Sequence, residues 1–463
     1  MPAARGKAAG AQSRLAAAVF AGGLALASLA ASHARAEIRL LGVGELKGVG
    51  ADGDADRSGL TGKLENGLAA NRLGGTGSGL AYAGGDVFIF LPDRGPNATP
   101  YNPAVDDTTS YIPRFHTVSI ALTAAAPGGL PLTVTPRLDA TTLLFSTTPL
   151  AYGSGAAAHL PSGAPAANRR GRFYFSGRSD NFAPGSTSLS AANGRLDAEG
   201  VRVSRDRRSL FVSDEYGPSI YQFDRRTGAR LRTFKLPAVF GVARLSPQGA
   251  AEIAENAVGR TANKGMEGLA ITPDGRRLVG AMQTALRQDA TDPATKNLLR
   301  LAAIDIASGA VRQFGYALTD GSGVSEILAI NDHAFLVLER DGAGLGAKKD
   351  AVVKKLYRID PTDAVDISNL SGAEAAAAAV SKIEVLDLVK ILTANGLAPD
   401  RIPEKIEGLA FGPDVTIDGR LLHTLYVSND NDFVPEMAGG NQIYVFGFDD
   451  SDIPGLIPQT FAP

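Results

Sequence analysis

The sequence predicts an all-β fold, a β-propeller of five or six blades with six preferred. Three observations carry that reading. First, an acidic phrase recurs. Its clearest copies are Asp197-Ala198-Glu199-Gly200-Val201, Gly265-Met266-Glu267-Gly268-Leu269-Ala270 and Lys405-Ile406-Glu407-Gly408-Leu409-Ala410. Val324-Ser325-Glu326-Ile327-Leu328 is a weaker copy, and Gly77-Ser78-Gly79-Leu80-Ala81 is an early one without the acid. Second, a β-rich apolar run follows each copy and ends mostly in turn residues. Third, hairpins follow those runs. One example is Ile220 to Asp224, a turn closed by Gly228, then Ala229 to Phe234.

The N-terminus comes before any of these units. Arg5, Lys7 and Arg14 precede an apolar run from Leu15 to Ala31, and Ala34-Arg35-Ala36 forms a cleavage site before Glu37. This is the grammar of a secretory signal peptide, which places the mature protein in the periplasm or outside the cell. The run is too short and too rich in Ala and Gly for a membrane anchor. No later segment is apolar enough to span a membrane. The expected organisation is a signal peptide at 1–36 and a single propeller domain at 37–463.

The repeat unit reads as four antiparallel strands, with the acidic phrase opening the innermost one. The acids at 199, 267, 326 and 407 lie 68, 59 and 81 residues apart. A bare blade takes about 40–50 residues, so loops and insertions fill the rest. The stretch from Gly79 to Glu199 is long enough to hide a sixth blade. Gly372 to Lys382 and Val385 to Thr393 read as a helical insertion between strands. Glu37 to Gly44 and Asn441 to Asp449 are expected to pair and close the ring. A pair of β-sandwiches is the alternative, but it would not place one phrase in every unit.

Composition removes several functions. Loss of residues 1–36 removes four positive charges and moves the formal net charge from -2 to -6. A mildly acidic protein offers no basic face to nucleic acid. With no cysteine, thiol nucleophiles and thiolate metal sites are out. There is no G-x-S-x-G elbow, H-E-x-x-H or P-loop. His116, His159, His333 and His423 are scattered singly. Any hydrolysis is therefore expected to use metal-activated water on a small-molecule phosphoester or ester, by a monomer.

Inner strands line a propeller's pore, so Glu199, Glu267, Glu326 and Glu407 should converge at one rim. Converging carboxylates need protons or a cation. Oxygen-only ligands suit Ca²⁺, with Mg²⁺ or Mn²⁺ as alternatives. Asp430 is a further candidate ligand. A Glu before Gly can instead bond backbone N–H groups of the next blade and serve only the fold. Strand-end acids Asp93, Asp214 and Glu215, with Arg94 beside Asp93, are the candidate catalytic groups, because Arg next to a carboxylate can hold a phosphate while the carboxylate holds metal. Turn chemistry explains the same residues without catalysis. Asp52 to Gly59 resembles half of a Ca²⁺ loop, but Lys63 stands where the bidentate acid should be, so it reads as a solvated loop.

The stretch Leu196-Asp197-Ala198-Glu199-Gly200, leading to Val212-Ser213-Asp214-Glu215-Tyr216-Gly217-Pro218, resembles the phytase-like family ("esterase-like activity of phytase"). So does Asn263-Lys264-Gly265-Met266-Glu267-Gly268-Leu269-Ala270-Ile271-Thr272-Pro273-Asp274-Gly275. The segments from Gly77 to Gly95 and from Ile406 to Asn431 fit in order, so the resemblance covers most of 38–450. It implies phosphoester or ester hydrolysis by Glu and Asp residues on a propeller-like domain. It extends to Glu199, Asp214, Glu215, Glu267 and Glu407; Glu326 matches less well, lacking the following Gly. The chemistry left open is a Ca²⁺-dependent phosphoesterase or phosphodiesterase, a lactonase or carboxylester hydrolase, or a binding propeller with structural Ca²⁺.

Overall fold

Five antiparallel sheets stand around one axis, each a run of four strands, with the short strand Val415–Ile417 added to the last. The computed structural model describes residues 38–96, 106, 108–153 and 163–461. The proposed signal peptide lies outside the described residues. Blade 1 runs outward through Gly79–Tyr82, Val87–Leu91, Arg114–Ala124 and Leu132–Leu143. Blade 2 is Ala198–Val203, Ser209–Asp214, Ser219–Asp224 and Arg230–Lys235. Blade 3 is Met266–Ile271, Arg277–Met282, Leu298–Asp305 and Val311–Ala317. Blade 4 is Gly323–Ala329, Phe335–Arg340, Lys354–Ile359 and Lys382–Asp387. Blade 5 takes Lys405–Phe411, Arg420–Asp430 and Asn441–Phe448 from the end of the chain and Arg39–Leu46 from its start.

The expected ring closure is present. Arg39 pairs with Gly447 and Leu46 with Asn441 in an antiparallel ladder. The preferred count of six blades is corrected to five. Between residues 79 and 199, the described residues form blade 1, loops and a two-stranded ladder of Phe145–Ser146 with Phe173–Tyr174. The helical insertion is also redrawn. Helices Gly372–Ala377 and Leu388–Ala394 flank the outer strand of blade 4, which claims Val385 to Asp387. The pairing of Leu356 with Leu386 in that ladder outweighs the local helical pattern. No helix among the described residues is long and apolar enough to cross a membrane.

The inner strands are buried along most or all of their length, because each is covered on both faces by neighbouring blades. Met266–Ile271 and Gly323–Ala329 show no exposed or half-buried residue, whereas the outer strand Arg230–Lys235 is mostly open. Side chains from adjacent blades fill the gaps: Met266, Leu269, Ile327 and Val337 belong to one cluster, and Leu409, Val427 and Phe446 to another. Inner strands approach so closely that the phrase glycines cannot carry a side chain. A Cβ on Gly200 would lie 2.7 Å from Leu269 Cβ, on Gly268 2.7 Å from Ile327 N, and on Gly408 2.4 Å from Ser428 Oγ. Gly268→Ala is expected to cost about 1–3 kcal/mol by overpacking, read as a lower denaturant midpoint; an unchanged midpoint would mean the blades can move apart.

Candidate functional site

The acidic phrase sits on a β-bulge. In blade 3, Met266 pairs with Met282 and Gly268 with Ala281, which leaves Glu267 outside the ladder. Blades 2 and 5 break register at the same place, around Glu199-Gly200 and Glu407-Gly408. Bulges re-aim side chains. Here they turn Glu199, Glu267 and Glu407 into a cavity of about 250 Å³ at one mouth of the pore.

A second layer comes from the ends of the second strands. Asp93, Glu215, Gln283, Arg340 and Asp430, one residue from each blade, line the same well. Strand alternation sends the preceding residue the other way. Asp214 accepts hydrogen bonds from the N–H groups of Asp197 and Tyr216 at 3.2 and 3.1 Å and from Tyr221 Oη. Glu339 accepts from Tyr316 Oη and Gly321 N. Of the expected catalytic set, Asp93, Arg94 and Glu215 therefore reach the well, and Asp214 braces the loop beneath it.

Glu326 does not reach the well either. Blade 4 reads Val-Ser-Glu where blades 2, 3 and 5 read X-Glu-Gly. Its ladder skips Ser325 and pairs Glu326 with Leu338, so Glu326 stands at the glycine position, one residue deeper. There it forms an ion pair with Arg202 at 2.9 Å and accepts the N–H groups of Leu269 and Ile327. This is the purely structural use of a phrase glutamate, realised in one blade. Arg202 also donates to the carbonyls of Leu80, Val201 and Ile327, which ties blades 1, 2 and 4 together across the axis. The opposite mouth is covered by the C-terminal segment: Ile457 N donates to Ile330 O, Gln459 Nε2 to Val203 O, and Phe461 packs against Tyr82. The well is thus blind.

Several residues of the well lie outside the candidate set drawn from the sequence. Lys405 precedes a phrase glutamate by two residues, as does Asp197, which is fully buried behind the wall. Gln283 and Arg340 hold the strand-end position, and Asn263 and Asp432 complete the wall. The strand end Glu339-Arg340, an acid beside a base like Asp93-Arg94, points to Arg340 from the sequence itself. The Asp52 to Gly59 loop is not wholly solvated: Asp56 is buried in an ion pair with Arg114. His116 is buried against Thr141 with burial lowering its pKa to about 4, and His333 and His423 pair with surface aspartates. None of the three lines the well.

Three cations neutralise part of the acidity. Arg94 binds Asp197 through its backbone N–H at 3.0 Å and Nη1 at 2.8 Å. Arg340 lies 2.6 Å from Glu407 and 3.9 Å from Glu267. Lys405 bridges Asp430 and Asp432 at 3.1 and 2.5 Å. Asp93 accepts the backbone N–H of Gly95, and Glu215 accepts that of Gly265 and shares a hydrogen bond with the Asp197 carboxyl. Glu199 is 7% exposed and has no hydrogen-bond or ion-pair partner among the described residues. Burial, then Glu267, pushes its carboxyl well up; burial, then Asp430, does the same to Asp93. Glu267 rises to about 8 through burial and then Glu407, against the pull of Arg340. Asp430 rises to about 6 through burial, against Lys405.

Such a site can hold a metal ion. Carboxylate oxygens of Asp93, Asp197 and Glu199 lie within 4.8 Å of one another, as do those of Asp93, Asp430 and Asp432. The second group already surrounds an ammonium. The first includes the unpaired Glu199, and its all-oxygen donor set suits a hard cation.

Two predictions follow from these charges. Replacing one partner of the buried Arg202–Glu326 pair, as in Arg202→Met, should cost about 3–5 kcal/mol, while Arg202→Met with Glu326→Leu should recover most of it; equal losses in chemical denaturation would contradict the pairing. The second concerns pH. A carboxyl whose folded pKa is raised binds more protons folded than unfolded, so stability falls as pH rises from the unfolded to the folded value. For Glu267 that window runs from 4.5 to about 8. The metal-free protein should lose thermal stability across that window, and a divalent cation should restore it most at the alkaline end. A flat melting profile would contradict the charge balance.

Comparison with known proteins places this site in context. The family model "Phytase-like: Esterase-like activity of phytase" matches residues 71–433. An "uncharacterized secreted protein" of Arthroderma benhamiae is 27% identical over 321 residues, 56% of this chain and 62% of that protein, so the chain spans less than two thirds of its length. Among solved structures, Kuenenia stuttgartiensis hydrazine synthase aligns at a TM-score of 0.30 and 10% identity, covering 82% of each chain. A putative 6-phosphogluconolactonase of Bacteroides uniformis aligns at 0.29 and 12%, covering 79% of this chain and 82% of that one. The β-propeller domain of Myceliophteria thermophila Cps50 (Swd1) aligns at 0.23 and 13%, covering 50% of this chain and 51% of that one.

Proposed function

The chain belongs to the phytase-like family, and on that premise we propose that it is an exported, metal-dependent phosphoesterase acting as a monomer on a small molecule, with Ca²⁺ the preferred ion. Export is supported by the leader-like residues 1–36 and by the relative whose name calls it secreted. The observation that carries the chemistry is Glu199, a buried carboxylate without a partner, beside Asp93 and Asp197. These three residues would hold the ion, with Asp430 next to them through its neighbour Asp93.

A hard cation bound there supplies Lewis acidity to a phosphoryl or acyl oxygen. The chain's own groups do the rest. Arg340, at the rim of the well and 13% exposed, can meet a phosphoryl oxygen, since its guanidinium offers more donors than Glu407 and Glu267 take up. Arg94 keeps Asp197 in place through two hydrogen bonds. Glu215, with one oxygen on Gly265 N–H, is placed to accept a proton from water in the well. Gln283 orients Glu267 by donating to it at 2.8 Å.

The test is hydrolysis of bis(p-nitrophenyl) phosphate, p-nitrophenyl phosphate and p-nitrophenyl acetate before and after EDTA, with Ca²⁺ added back. Phosphoester turnover should vanish with EDTA, return with Ca²⁺ and fall by at least about 100-fold in Glu199→Gln. Turnover of the acetate alone would transfer the site to carboxylesters or lactones. No turnover at all, with EDTA only lowering the melting temperature, would make the protein a binding propeller with a structural ion.

A further inference from the structure

A cavity of about 370 Å³ lies where the outer strands of blade 5 meet loops of blades 1 and 4. Its volume is in the range of small-molecule sites, about 300–1,000 Å³. It shares no residue with the acidic well, and its character is the reverse. Leu40 comes from the first strand, Leu392 from helix Leu388–Ala394 and Leu397 from the loop after it. Leu130 comes from the hairpin turn of blade 1 and Leu345 from the loop after Phe335–Arg340. Leu130, Leu345 and Leu397 are only half-buried, so the wall presents apolar surface to water. Covering such surface is favourable in proportion to its area.

Two polar groups mark this apolar space. Tyr444 is 4% exposed, and its hydroxyl has no hydrogen-bond partner among the described residues. Burial is the whole cause of that hydroxyl's raised pKa, with no neighbouring charge contributing. A buried donor without an acceptor is unfavourable, and a buried tyrosine hydroxyl usually finds one. Tyr444 lines the cavity, so a bound molecule can supply the acceptor. The ladder holds the residue in place, with Val43 opposite it on one side and Val427 on the other. The second group is Arg401, the one charged residue lining the cavity among the described residues. It is exposed on the short helix Pro399–Arg401, and its guanidinium has no ion-pair or hydrogen-bond partner among the described residues. Asp400 precedes it and does not line the cavity.

We propose that this cavity binds a free, oxygen-bearing apolar carboxylic acid, such as a hydroxy or oxo fatty acid. Its apolar body lies among the leucines, its carboxylate meets Arg401 at the entrance, and its second oxygen meets the Tyr444 hydroxyl within. One cation at the entrance of a concave site matches one anionic head; a membrane surface would call for a cluster of basic residues instead. The proposal does not depend on the hydrolase reading.

Binding is read on the full protein with anilinonaphthalene sulfonate, an apolar fluorescent anion, as reporter. Its fluorescence should rise to saturation at one site per chain. Decanoate should displace it, decanol about tenfold less well, and ω-hydroxydecanoate better than decanoate. Arg401→Gln, an exposed change, should weaken decanoate about tenfold and leave decanol unchanged. Tyr444→Phe keeps the ring and should abolish the advantage of the hydroxy acid. Val43→Trp, at a 38% exposed position of the wall, should fill the cavity and abolish reporter binding. Should that variant fail to fold, Arg401→Gln decides alone. No saturable binding, equal displacement by decanol and decanoate, equal displacement by the two acids, or binding of the protein to phosphatidylglycerol vesicles in place of the free acids overturns the proposal. No metal and no turnover enter these readings, so the hydrolase reading and this one fail separately.

Discussion

The close approach of five inner strands is the constraint on which this molecule is built. In four of the five blades the inner-strand residue facing the next blade has no room for a Cβ; one on Gly79 of blade 1 would lie 2.3 Å from Glu199 O. Gly200, Gly268 and Gly408 meet that demand. The bulge that accompanies each glycine frees the residue before it from the ladder, and that residue looks into the pore. Fold and site therefore share one dipeptide. The glycine packs the ring, and the glutamate is delivered to the axis as a consequence. Where blade 4 puts Glu at the glycine position, the acid is absorbed into the scaffold and needs Arg202 to be tolerated there.

The same geometry explains the electrostatic character of the well. The five blades crowd acids and bases into a space too small to hydrate them fully. Three cations are threaded among the acids: Arg94 and Arg340 each reach an acid of the next blade, and Lys405 pairs within blade 5. Asp93 is left with a backbone amide, Glu215 with a backbone amide and the Asp197 carboxyl, and Glu199 with no partner among the described residues. A buried carboxylate in that position is stable only with a proton or a cation, and pH decides between them in the absence of metal. The site is better described as a set of unfilled valences with a defined sign than as a list of ligands.

Much of this was legible in the sequence. The phrase, its order and the pairing of the two chain ends follow from residue types that strands and turns require. The ring of Glu199, Glu267 and Glu407 could be anticipated because repetition at one structural position implies convergence. Other features depended on register, which one sequence does not print. Glu326 stood apart by lacking the following Gly, but its seat at the glycine position follows only from the register, in which blade 4 skips Ser325. Asp214 and Glu215 were separable only by strand alternation counted from the bulge. Leu130, Leu345 and Arg401 stand outside every repeat, and only the folded chain brings them together.

Blade 5 is assembled from Arg39–Leu46 and Asn441–Phe448, segments about as distant in sequence as the chain allows. Such a join is the slowest kind of contact to find, because the loop it closes is nearly the whole molecule. Until the last strand exists, the first one has no partner. Its Leu40, Leu41 and Leu46, all buried in the finished ring, remain on an open sheet edge that any other strand could capture. Synthesis of this protein thus contains an obligatory waiting period for its own beginning. The hazard in its biogenesis lies in the time between the appearance of the first strand and the arrival of the last.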